Sequence, residues 1–111
     1  MQNRIEESIL KNLFVSDTFT RKVIPYLEEE YFSDRSERLV YNQIHNYFMK
    51  YNECPTHEAL SIQMNDLSGH NDEEIKNAMT VINQCKTNTE ETPHDFLVEE
   101  TEKWCKDRAI Y

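Results

Sequence analysis

A single glycine, Gly69, serves the whole 111-residue chain. That scarcity constrains the fold more than any other feature. Tight hairpin turns need residues that accept positive φ, and glycine is the usual one. A chain of many short strands would be starved of turns here, whereas a helical chain needs few. The same scarcity excludes the glycine-rich phosphate cradles. A P-loop needs paired glycines around a lysine, and a dinucleotide fingerprint needs more. These residues alone therefore bind nucleotide in none of the common ways. No cofactor is expected on them.

Charge narrows the partners. The chain carries 21 acidic and 12 basic side chains, for a formal net charge of −9. Phosphate binding needs a basic patch, but the cations are scattered, and only Arg21-Lys22 stand together. Direct contact with nucleic acid or an anionic membrane is not expected. The acid excess reads first as a solvated surface. Cys54, Cys85 and Cys105 are odd in number and widely spaced, which is no disulfide framework. The start, MQNRIEESIL, has no basic segment followed by an apolar run, and no apolar stretch is long enough for a membrane. A reducing, cytoplasmic setting is the expectation.

Helical periodicity runs throughout. Ile5, Ile9, Leu10, Leu13 and Phe14 predict a first helix over 3–15. Asp17 reads as the cap of a short second helix with Phe19, Val23 and Ile24, which Pro25 should end. Tyr26–Phe32 reads as a turn or short helix. Val40, Ile44, Tyr47, Phe48 and Tyr51 form one stripe over 35–51, with Ser33 as cap. Thr56 opens a helix carrying Leu60, Met64 and Leu67. Ser68-Gly69-His70 is a loop, and Asn71 with Glu74 forms a capping box. Ile75, Met79 and Ile82 follow as a stripe, with Ala78 and Cys85 at its edges. After the polar 86–92 connection, Thr92-Pro93 reads as cap and first residue of the last helix. Its stripe is Leu97, Thr101, Trp104, Arg108 and Tyr111. Glu99–Lys103 and Glu102–Lys106 are spaced for i,i+4 pairs worth roughly a few tenths of a kcal/mol each. No stop signal closes this helix, so the chain reads as a fragment of something longer. The expected fold is all-α in one domain: a compact helical globule over about 1–70, then a C-terminal αα-hairpin over about 71–111 leading to a linker helix.

Reactive chemistry is sparse. Cys54-x-x-His57 has a metal-like spacing, but four ligands are not in sight, and ordinary packed thiols are the stronger reading. His94-Asp95 and Glu99-Glu100 could be drawn as an acid–base cluster. They stand in the first turns of a helix, where acids complement the macrodipole. No catalytic or metal-binding residue is assigned. Tyr31 and Phe32, beside Glu28-Glu29-Glu30, read as core closers ahead of a contact surface. His45 reads as boundary packing. For Trp104, the only tryptophan, two readings stay open: a binding hot spot, or packing on Met79 and Ile82.

The order of motifs carries a resemblance. D-T-F-T-R-K-V-I (Asp17–Ile24) is followed by E-E-E-Y-F (Glu28–Phe32) and R-S-E-R-L-V-Y-N-Q-I (Arg35–Ile44). C-P-T-H-E-A-L (Cys54–Leu60) and E-T-E-K-W-C-K-D-R-A-I-Y (Glu100–Tyr111) complete the series. Over nearly its whole length the chain resembles the N-terminal domain of DnaB-like replicative helicases. P-Y-L-E-E-E-Y-F (Pro25–Phe32) and the last motif look most like the bacteriophage-type enzyme. The resemblance implies a collar domain of a hexameric 5′-to-3′ DNA helicase that uses ATP and Mg in an absent motor domain. It implies self-association as dimers within a hexamer, contact with a primase and possibly a loader, and single-stranded DNA bound through the motor. It makes Ile75, Met79, Ile82, Leu97, Thr101 and Trp104 candidate interface positions. The rival expectation is a free-standing acidic helical adaptor or inhibitor, motivated by the charge of −9. A small metal enzyme rests on Cys54-x-x-His57 alone.

Overall fold

A computed structural model describes residues 4–67, 69–88 and 91–109, with Arg4 as backbone only. The expected turn at Ser68, part of the polar connection and the Tyr111 end of the last stripe fall outside them. The described chain forms α1 (Arg4–Val15), α2 (Asp17–Val23), a 3₁₀ turn (Glu29–Tyr31), α3 (Arg35–Tyr51), α4 (His57–Asn65), α5 (Asp72–Thr87) and α6 (His94–Ala109). Strands are absent among the described residues, as the glycine scarcity required. The Cα radius of gyration is 13.2 Å, which is the size expected of one packed domain of this length.

Local chemistry sets the helix ends. The Ser16 hydroxyl accepts from the Phe19 amide at 3.2 Å and caps α2. Asp17, the expected cap, is the first helical residue and takes Arg21 at 2.7 Å instead. Asp34, one residue after the expected Ser33, accepts from the Glu37 amide and starts α3. Ser33 is unavailable because its amide and hydroxyl both donate to Glu6, at 2.8 and 3.3 Å. At the other end of α3, Asn52 adopts φ 58°, a left-handed stop that asparagine tolerates. Arg21 clamps that stop, donating to the Asn52 carbonyl at 2.7 Å and its side chain at 3.1 Å. Thr56 caps α4, and the Asn71–Glu74 capping box opens α5, both as expected. Helix α4 ends at Asn65, so Leu67 packs half-buried beyond it. Helix α6 begins at His94, one residue later than expected, with the Pro93 carbonyl accepting its first bond.

The core joins every helix. Ile9, Leu10 and Leu13 of α1 pack with Phe19, Val23, Phe32, Val40, Ile44, Leu60, Met64, Ile82 and Leu97. Helix α5 lies against α3, α4 and α1, whereas α6 lies against α2, α1 and the 3₁₀ turn. The two helices are built into one core and share α1 as a neighbour. The cause is the position of α1: it contacts α2, α3, α5 and α6. The stripe of α5 is also rotated from the expected one. Ala78, Ile82 and Cys85 are its buried residues, and Ile75 and Met79 flank them half-buried.

Candidate partner-binding surface

A concavity lies where the 3₁₀ turn, α3 and the start of α5 meet. It is an open groove of about 670 Å³, lined by Glu29, Arg35, Arg38, Leu39, Asn42, His70, Glu73 and Glu74 among others. Its polar groups are largely engaged. Asn42 donates to Glu29 at 2.7 Å, and the Arg38 Nε donates to the Phe32 carbonyl at 2.6 Å. His70 lies 3.3 Å from Glu74. The Asn71 backbone amide and His70 hold the Glu74 carboxyl below its usual value. Arg35 and Glu73 are exposed on its rim. The groove therefore offers both charges over an apolar floor at Leu39. Sequence reading did not find it. Arg35, Arg38 and Asn42 share a face of α3, but nothing local says that α5 begins opposite them.

The six interface positions separate by burial. Ile82, Leu97, Thr101 and Trp104 are buried inside the chain, and Ile75 and Met79 are half-buried at its edge. Trp104 is 7 % exposed and packs within the chain. Tyr31 meets its ring edge-on at 6.0 Å, Phe32 lies at 5.1 Å and the Arg108 guanidinium lies 5.6 Å above it. Phe32 is fully buried, as a core closer should be, and Tyr31 is half-buried beside it. The Trp104 indole N–H and the Thr101 hydroxyl are buried without a hydrogen-bond partner among the described residues. Each such orphan costs about 1–3 kcal/mol, so α6 is held by packing against a polar penalty. Lys103 of α6 reaches Glu100 at 3.6 Å, not Glu99 four residues away.

The reactive side chains point apart. The Cys54 thiol lies 3.3 Å from the Thr20 hydroxyl. His57 stacks on Phe14 at 4.4 Å with Nε2 buried and unpartnered, and burial lowers its pKa. Burial pushes the Cys85 and Cys105 thiols up to about 12 and about 11. No group of three or more His, Cys, Asp or Glu able to hold a metal ion occurs among the described residues. No described helix is long and apolar enough to cross a membrane. His45, half-buried, sits 6.0 Å from the Tyr41 ring.

A small all-α domain with one core and a polar groove at the rim is the class that this geometry defines. No family profile matches the chain. The chain is 29% identical over 105 residues to the DnaB-like replicative helicase of Enterobacteria phage T4. The match covers 95% of this chain and 22% of that helicase. The likeness read from the motifs is thus borne out, and the chain spans about a fifth of the length of the relative it matches.

Proposed function

We propose that these residues form the N-terminal collar of a hexameric, ATP-dependent replicative DNA helicase, and act in DNA replication by self-association and by binding a primase or loader. One observation supports this reading above others: nearly the whole folded unit aligns with a fifth of a much longer helicase. A module that matches a partner protein end to end would be expected to align with most of its length. ATP and Mg belong to the motor in this reading. The single glycine, Gly69, argues against a glycine-rich phosphate loop on these residues. Ile75 and Met79 are the members of the six interface positions able to meet a second copy without opening the core.

The test is the reading frame beyond Tyr111. A downstream G-x-x-x-x-G-K-[ST] segment after a strand supports the collar. A stop codon at Tyr111 overturns it and leaves the acidic adaptor, whose binding would weaken steeply with salt.

A further inference from the structure

Two rings join the start of α4 to the end of α1. His57, the first residue of α4, stacks on Phe14 of α1 with centroids 4.4 Å apart and planes 18° from parallel. Phe14 is 6 % exposed, and the imidazole is part of its cover. The His57 Nε2 atom is buried with no hydrogen-bond partner among the described residues. An imidazolium carries an N–H on both ring nitrogens. Protonation would therefore place a charged donor at an atom that has no acceptor. Such a site tolerates the neutral ring and rejects the charged one.

The neighbouring groups give the charged ring little relief. Helix α5 presents Lys86, which disfavours a second positive charge. Helix α1 presents the Phe14 ring, and the ionisable residue one turn before it, Lys11, is also a cation. Helix α3 meets α4 through the uncharged Gln43–Gln63 pair. In the turn before α4, the Cys54 thiol is kept neutral by burial and lies against the Thr20 hydroxyl. Glu53 of that turn and Glu58 of α4 are exposed, where water and salt screen them. Water itself is close at hand. His57 as a whole is half-buried at a helix end, so a side-chain rotation carries its ring to solvent without opening the core.

We propose that the His57–Phe14 stack is an acid-released latch: protonation turns the imidazole out to water, uncovers Phe14 and loosens the first turns of α4 from α1. Burial, then Lys86, lowers the pKa of the ring. The latch is therefore shut at neutral pH and opens on the acid side of the ordinary histidine value. The inference does not depend on the helicase reading.

Proton NMR of the 111-residue chain tests the latch without any variant. Nuclear Overhauser contacts between the two rings should be present at about pH 7.5 and at least about fivefold weaker by about pH 5, with a midpoint below the ordinary histidine value. Over that range, protection of amides 60–64, corrected for intrinsic exchange rates, should fall about tenfold while α2 and α6 hold theirs. His57→Phe keeps a ring on Phe14 and cannot take a proton, so there the same amides should stay within about twofold. Ring contacts that persist once the imidazolium has formed overturn the proposal. So does a midpoint at or above the ordinary value, an equal fall in His57→Phe, or a fall shared by α2 and α6.

Discussion

Glu37 and Trp104 show how single side chains set the energetics. Burial, then Glu6, Asp34 and Glu7, raise the folded Glu37 carboxyl to about 7, against an ordinary 4.5. Its sign follows from linkage. The stability associated with the protonated form is fully present below the ordinary value and is lost as pH rises through the folded one. Glu37→Gln should therefore raise stability by about 1–2 kcal/mol at pH 8 and change it little at pH 4.5, measured by urea unfolding. His57 works in the opposite direction. Its lowered value means that its contribution is present above the unfolded pKa and is lost as pH falls. Trp104 fills a slot between Tyr31, Phe32 and Arg108. Trp104→Ala should cost about 3–5 kcal/mol in chemical denaturation, whether or not the chain self-associates.

At the scale of elements, the starts of helices were legible and their neighbours were not. A cap is a local contract: Thr56 and the Asn71–Glu74 box could be read because all partners lie within a few residues. Asn71→Ala should destabilise the chain by about 1 kcal/mol and lower the helical signal by fraying α5, as circular dichroism with thermal melting would show. Ser33 was misread as a cap because its competitor, Glu6, sits on another helix. Amphipathic stripes likewise reveal which face is buried and stay silent on what covers it. The stripe of α6 was found correctly through Leu97 and Trp104, but its neighbours α2 and α1 were not. The groove and the His57–Phe14 stack escaped notice for the same reason, since each joins segments far apart in the chain.

For the molecule as a whole, the one-core architecture limits where a second copy could dock. A substitution at the half-buried edge should separate assembly from folding. On the collar proposal, Met79→Glu should shift a helicase carrying this domain toward smaller species in sedimentation, while changing the melting stability of this domain by less than about 1 kcal/mol. An unchanged distribution would remove Met79 from the contact. The central place of α1 also has a consequence for biosynthesis. Its apolar face is covered by α5 and α6, the last helices in order. On a ribosome adding about 5–20 residues per second, α1 emerges several seconds, up to roughly twenty, before α6 exists to cover it. Through that interval Ile9, Leu10 and Leu13 have only early helices as company. A nascent chain of this design is therefore expected to be a client of ribosome-associated chaperones until α6 arrives.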